Sequence, residues 1–186
     1  ITPSSNKYDF FLSNIERDKA ESFVLSMGNK IKIGINIEGS FPEKSIQKKE
    51  LDQICRGLYS HCSNIKIVIL ASSNQIIKKQ KMISELGLDY VIPSYTTETI
   101  IDAAAIVEQL DLIITPDTSI VHIASSFDKP VVSIHENNKD SFRLWSPSST
   151  LSKTIFATSR YGLVDYSVND IVKSAVDIIK TIESDI

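Results

Sequence analysis

The stretch TPDTSIVHIASSFDKPVVSIH, residues 115–135, predicts a helix followed by a buried strand. Its apolar residues recur at the spacing of one helix face: Ile120, Ile123, Ala124 and Phe127. An apolar, β-branched run at residues 130–135 follows this pattern, and a similar run at 112–115 precedes it, as expected for buried strands. A strand, a helix and a second strand in this order form the unit from which parallel sheets are built.

The same alternation extends towards both ends of the chain. Further strands are predicted at residues 31–37, 65–71, 90–92 and 154–157. Amphipathic helices are predicted at residues 15–27, 51–62, 75–86, 97–109 and 168–182. Continuous apolar strands separated by such helices predict an α/β fold with a doubly wound parallel sheet, Rossmann-like in its architecture.

The length of 186 residues fits one domain. Residues 1–14 are polar and contain a proline, and the chain begins at Ile1 rather than at a methionine. We therefore predict a linker from a preceding domain at residues 1–14 and a single domain at residues 15–186. The first helix of that domain is expected to bury a face that includes Ile15 and Phe23.

The composition excludes several classes of partner. A net charge of -3 and a pI near 5.6 argue against nucleic-acid binding, and we expect Lys78, Lys79 and Lys81 to form a solvated helix face. No apolar run reaches the roughly 20 residues of a transmembrane segment. Cys55 and Cys62 fall on one apolar helix stripe, so we expect packed, reduced thiols and a cytoplasmic protein.

Ligands of a doubly wound sheet bind beyond the carboxyl ends of its strands, so the strand-to-helix turns are the places to search. The first such turn, NIEGSFPEKS at residues 36–45, combines Gly39, the Ser40 hydroxyl and the Lys44 ammonium. Gly39 permits a tight backbone, and a lysine at this point is suited to a phosphate, although a solvent-exposed lysine is the alternative.

The second turn is the one at residues 116–122. Asp117 or Thr118 is suited to cap the helix, which leaves the N–H groups of Thr118, Ser119 and Ile120 as an anion site. His122 falls on the polar face of the helix, and its imidazole should lean back over this turn. The turn is therefore a candidate ligand site, and a simple cap beside a surface histidine is the alternative.

The third turn, HENNKDSFRLWSP at residues 135–147, is less distinctive. Trp145 and Pro147 are expected to anchor a loop on the core. Glu136 would oppose a diphosphate unless it is turned away.

Absent motifs narrow the chemistry. The sequence contains no Gly-x-Gly-x-x-Gly, Walker or Gly-x-Ser-x-Gly motif, and no Cys/His metal spacing. No Asp-x-Asp pair occurs to hold a divalent metal. We therefore expect neither a cofactor nor a metal, and a site that stabilises phosphate charge with helix N–H groups, Lys44 and His122.

The stretch DLIITPDTSIVHIASSFDKPVVSIH, residues 111–135, resembles the donor-binding, C-terminal half of the family 9 glycosyltransferases, the ADP-heptose:lipopolysaccharide heptosyltransferases of GT-B fold. In that family a strand leads into Asp-Thr-Gly, two residues and His, then a small-residue helix and Lys/Arg-Pro. The positions that match this pattern are Asp117, Thr118, Ser119, His122, Lys129 and Pro130. The similarity extends more weakly from about residue 31 to residue 145.

The resemblance implies that Asp117 contacts the donor sugar, and that Thr118, Ser119 and His122 contact its diphosphate. Lys44 stands in the place of the family's phosphate-binding lysine. Two departures are evident, because Ser119 replaces the family's glycine and residues 135–138 replace an aromatic-Gly-Pro-Thr turn.

The resemblance also implies an activity for the whole protein. It would transfer a sugar from a nucleotide-diphosphate donor, ADP-heptose, to a lipopolysaccharide core acceptor, with inversion and without a metal. The catalytic base would belong to the N-terminal domain, so none is assigned here, and the fragment alone would be inactive. The full protein would be cytoplasmic or peripheral at the inner membrane. The alternatives are a nucleotide-sugar epimerase of the same architecture and a non-catalytic nucleotide-binding or assembly module with a decayed site.

Overall fold

A computed structural model describes residues 10–184 as six parallel strands covered by helices on both faces. The strands are β1 (Ile31–Ile35), β2 (Ile65–Ile69), β3 (Val91–Pro93), β4 (Leu112–Pro116), β5 (Val131–His135) and β6 (Ser152–Phe156). They lie in the order β3-β2-β1-β4-β5-β6, and each pair of neighbours is parallel. The predicted doubly wound α/β fold is confirmed.

The described residues also form seven α-helices and one 3-10 turn. The helices are α1 (Asn14–Leu25), α2 (Lys48–His61), α3 (Ile76–Leu86), α4 (Ile100–Gln109), α5 (Ser119–Ser126), α6 (Lys139–Trp145) and α7 (Val168–Ser184), and the 3-10 turn is Pro42–Lys44. The short helix α6 and the 3-10 turn were not expected from the sequence. No helix in residues 10–184 is both long and apolar enough to cross a membrane.

Two hydrophobic cores lie on opposite faces of the sheet. One contains the buried residues of α2, α3 and α7, and the other those of α1, α4 and α5. Neighbouring residues of β4 point to different cores, since Leu112 and Ile114 enter the first and Ile113 enters the second. This alternation explains why β4 and β5 are buried throughout, because both faces of the sheet are covered there, whereas the edge strand β6 is only partly buried.

The N-terminal segment departs from the prediction in detail. Residues 1–9 of the predicted linker lie outside the described residues, and Leu12 is buried in the second core. The helix begins with a capping box of Ser13 and Glu16. Ile15, however, is 79% exposed, so its place on the buried face was predicted wrongly. Ala20 takes part in that face instead. The domain boundary at residue 14 stays a prediction.

The two cysteines lie in the same region of the fold. Cys55 is buried on α2, Cys62 directly after the helix is partly buried, and both are free thiols. The expected packing of both side chains against one core is confirmed.

Candidate functional site

The sheet order reverses between β1 and β4, because β2 and β3 extend the sheet on one side and β5 and β6 on the other. The loops that leave β1 and β4 therefore separate above this point and leave a crevice. A cavity of about 500 Å³ opens there, and it is lined by residues that follow β1, β2 and β4 and by the start of α4.

Asn36 joins the two sides of this crevice. It is the residue after β1, it is 7% exposed, and its side-chain amide donates to the Thr115 and Thr118 hydroxyls at 3.1 and 3.2 Å. The same amide donates to the Glu38 carbonyl at 3.0 Å. Sequence analysis missed Asn36, although a polar residue at the end of an apolar strand is a signal that could have identified it.

Thr118 is the N-cap of α5, and its hydroxyl accepts from the Ile120 N–H at 3.3 Å. The Ile120 N–H is therefore not available to a ligand, contrary to the prediction. Within residues 10–184 the N–H groups of Thr118 and Ser119 have no hydrogen-bond acceptor. Thr118, Ser119 and Ser40 all line the cavity. The amides of Thr118 and Ser119 and the hydroxyls of Ser40 and Ser119 are the polar groups that a phosphate could meet at the helix N-terminus.

Asp117 does not act as the cap. Its carboxylate is 31% exposed, and Oδ2 lies 3.5 Å from Nδ1 of His135 at the end of β5. His135 itself is 2% exposed and is flanked by the ring of Phe142 at 5.1 Å. The structure thus directs Asp117 towards β5, on the side of α5 away from the cavity.

His122 lies close to Asp117, as predicted, and is partly buried. Burial lowers the pKa of His122, the Asp117 carboxylate raises it, and His135 lowers it further, with burial the largest effect. Burial thus favours the neutral form of the His122 imidazole. Its ring meets the edge of Trp145, with 5.6 Å between the ring centres.

Trp145 does not anchor a loop on the core as expected. It ends α6, it is 48% exposed, and its neighbour Leu144 is 70% exposed. Asn138 is the N-cap of this helix, and its side chain accepts from the Ser141 N–H at 3.2 Å. The third turn therefore presents Trp145 to His122 and to solvent.

Lys44 points to the β5 side and not into the cavity. Its ammonium lies 2.8 Å from a carboxylate oxygen of Glu136, and the two side chains are 33% and 16% exposed. The other oxygen of Glu136 accepts from the Gly162 N–H. The Glu136 carboxylate, which was expected to oppose a diphosphate, thus forms an ion pair with Lys44.

Lys79 corrects the expectation of a solvated helix face. Lys78 and Lys81 are exposed, but Lys79 is 3% exposed and lines the cavity. Its ammonium donates to the Leu70 carbonyl at 2.6 Å and pairs with Glu38 at 3.1 Å. Burial lowers the pKa of Lys79, and Glu38 partly offsets this.

The candidate residues therefore form two groups on either side of the start of α5. Ser40, Thr118 and Ser119 line the cavity together with the Glu38–Lys79 pair. Asp117 and Lys44 lie on the other side with their partners on β5 and on the residue after it. Gly39 lets the first loop close, since a β-carbon there would lie 2.1 Å from the Lys44 carbonyl oxygen.

A sequence model of glycosyltransferase family 9 (heptosyltransferase) matches residues 6–161. The chain belongs to this family. The resemblance of residues 111–135 to the family 9 glycosyltransferases is thus confirmed. No match was found among curated proteins.

Solved structures share the fold of this family 9 chain. A family 9 glycosyltransferase from Veillonella parvula has a TM-score of 0.80 at 19% identity, covering 97% of this chain and 56% of the other. The E. coli ADP-heptose lps heptosyltransferase II has a TM-score of 0.72 at 17% identity, with 97% and 56% covered. E. coli heptosyltransferase WaaC with ADP has a TM-score of 0.69 at 14% identity, with 96% and 52% covered. The chain thus has the fold of one half of a GT-B glycosyltransferase and spans little more than half the length of these proteins.

Proposed function

We propose that this chain is the donor-binding half of a glycosyltransferase that transfers a sugar, heptose from ADP-heptose, to a lipopolysaccharide core acceptor. The observation that carries the proposal for this family 9 chain is the crevice between β1 and β4, which is lined by Thr118 and Ser119, whose amides have no acceptor within residues 10–184. The two E. coli relatives, an ADP-heptose lps heptosyltransferase and a heptosyltransferase solved with ADP, support the choice of donor.

The lining of the cavity supports a nucleoside next to the diphosphate. Leu70, Ala71, Ile100 and Ala103 provide apolar surface, and the amides of Thr118 and Ser119 lie at the α5 end. A base with its ribose fits a site in which apolar surface adjoins a few polar groups. In this arrangement the diphosphate lies at the amides of Thr118 and Ser119.

We assign the donor sugar and the transfer reaction to the side of α5 on which Asp117 lies. A partly exposed carboxylate is a good acceptor for sugar hydroxyls, and the cation of Lys44 is suited to the leaving diphosphate. The acceptor and the general base belong, in this proposal, to the N-terminal half, and displacement occurs with inversion and without a metal. The whole protein would act in the cytoplasm, peripheral to the inner membrane.

Calorimetric titration of the 186-residue chain with ADP, UDP, GDP and CMP, and then with the matching nucleotide sugars, tests the proposal. We expect selective binding of ADP and ADP-heptose, with equal affinity in EDTA. Lys44→Met should weaken ADP binding by about tenfold, the effect of one lost charge-assisted contact. The exposed Lys49 provides the matched control, and Lys49→Met should leave the affinity unchanged.

A preference for another base would change the donor, and a loss of affinity in EDTA would contradict the metal-free site. A folded chain that binds none of these ligands would contradict the proposal. It would favour a non-catalytic module, which is the second candidate because Glu136 already neutralises Lys44.

A further inference from the structure

Within residues 10–184 the side chain of Glu136 makes two polar contacts, one with each carboxylate oxygen. One oxygen receives the Lys44 ammonium at 2.8 Å, and the other receives the Gly162 N–H. Its side chain is 16% exposed, so solvent screens the pair less than it would screen a surface ion pair. The carboxylate is therefore held in place as an internal anion.

This anion lies where three segments meet. Lys44 belongs to the loop after β1, Glu136 follows β5, and Gly162 lies in the segment after β6. A backbone hydrogen bond also joins the loop after β1 to the segment after β6, because the Leu163 N–H donates to the Glu43 carbonyl at 2.8 Å. Releasing Glu136 would thus free the ammonium and the Gly162 amide while the backbone contact remains.

We propose that Glu136 is an internal competitor for Lys44, which a ligand phosphate must displace in order to bind. This inference rests on the proposed function, since it concerns the same cation. A carboxylate and a phosphate within a few ångströms repel each other, and the ammonium cannot neutralise both fully. Glu136 therefore limits the affinity for anionic ligands in proportion to their charge.

The competition has a definite signature across ligands. Glu136→Gln keeps the shape and one hydrogen-bond acceptor but removes the charge. It should tighten the binding of ADP by about tenfold, a modest fraction of the Coulomb energy of a close ion pair. The gain should be smaller for AMP and absent for adenosine, which carries no phosphate.

The gain should also depend on the lysine. In a Lys44→Met background the substitution of Glu136 should increase ADP affinity far less, because there is no cation to release. Glu43→Gln is the matched control, since Glu43 is an exposed carboxylate next to Lys44 in the chain. That variant removes the same charge and should leave the ADP affinity nearly unchanged.

The experiment is calorimetric titration of the wild-type chain and these variants with adenosine, AMP, ADP and inorganic pyrophosphate. Circular dichroism checks the fold, and Glu136→Ala replaces Glu136→Gln if the latter does not fold. Tighter ADP or pyrophosphate binding that depends on Lys44 supports the competition. Unchanged or weaker binding of both by the folded Glu136 variants overturns it.

Pyrophosphate separates this inference from the proposed function. If the Glu136 variants gain affinity for pyrophosphate while no form of the chain binds a nucleotide, the competition holds and the donor assignment fails. If the wild type binds ADP and neither Glu136 variant gains affinity, the donor assignment holds and the competition fails. A folded set that binds none of the four ligands contradicts both.

Discussion

Nδ1 of His135 lies 3.5 Å from Oδ2 of Asp117, across the carboxyl ends of the neighbouring strands β5 and β4. The imidazole is 2% exposed, and within residues 10–184 its Nε2 atom has no hydrogen-bond partner. Among the described residues Asp117 is the polar partner of this buried ring, which is therefore suited to set the direction of that carboxylate. The residue proposed to contact the sugar is thus oriented by the strand next to its own.

His135→Phe should therefore weaken sugar recognition more than nucleotide binding. Without its partner, Asp117 can turn into solvent, and we expect the affinity for ADP-heptose to fall severalfold while that for ADP is nearly unchanged. Calorimetry with both ligands measures the two effects. His135→Asn, which can place an N–H near the position of Nδ1, should restore part of the sugar affinity. An equal loss for both ligands would assign His135 to the fold alone.

Thr118, and not Asp117, should carry the capping energy of α5. Thr118→Ala removes the acceptor of the Ile120 N–H and should cost about 0.5–2 kcal/mol in the free energy of unfolding. Asp117→Ala should cost less, because its carboxylate makes no cap. Chemical denaturation of both variants compares them, with Thr118→Ser as the control that keeps a hydroxyl. A larger cost for Asp117→Ala than for Thr118→Ala would contradict this assignment.

Trp145, the only tryptophan of the chain, should report the protonation of His122. A protonated imidazole quenches indole emission, and burial lowers the pKa of His122 from its ordinary value of 6.5. As the pH is lowered, the Trp145 emission of the folded chain should therefore decrease, with a midpoint below pH 6.5. The His122→Gln substitution should abolish this transition. A midpoint above pH 6.5 would show that Asp117 outweighs burial.

The same lowered pKa of His122 predicts the sign of a stability change. As pH falls below 6.5, the unfolded chain takes up the proton before the folded chain does. The contribution of His122 to stability is therefore fully present above pH 6.5 and is lost as pH falls through the folded pKa. Denaturation of wild type and His122→Gln at pH 7 and pH 5 should show a smaller decrease in the variant.

Lys79 should be a structural part of the cavity wall, unlike its neighbour Lys78. Lys79→Ala leaves the Leu70 carbonyl without its donor and Glu38 without its cation, and should cost about 1–3 kcal/mol. Lys78→Ala, on the same helix but exposed, should change stability by less than about 0.5 kcal/mol. Thermal or chemical unfolding of the two variants compares them, and similar small effects would contradict the buried role of Lys79.

The sequence alone determined the fold and the position of the site along the chain. Apolar periodicity is a local property, so it located the six strands and six of the seven helices before any contact was known. It also placed His122 away from the core face of α5. The same rule could have identified Lys79, which lies on the buried stripe of Ile83 and Leu86, but a lysine among other lysines was taken to be solvated.

Only the tertiary structure decided the partners of the site residues. Asp117 meets His135 across the neighbouring strands β4 and β5, and Asn36 meets Thr118 across the neighbouring strands β1 and β4. Lys44 meets Glu136 although β4 lies between their strands β1 and β5. Which side of α5 each group occupies follows from that order and from the direction of each loop. Helical and strand periodicity reports only whether a residue faces the core, because it depends on the nearest few residues. The contacts between site residues depend on where segments distant in sequence end. For this reason only the tertiary structure could place the Glu136 carboxylate against Lys44.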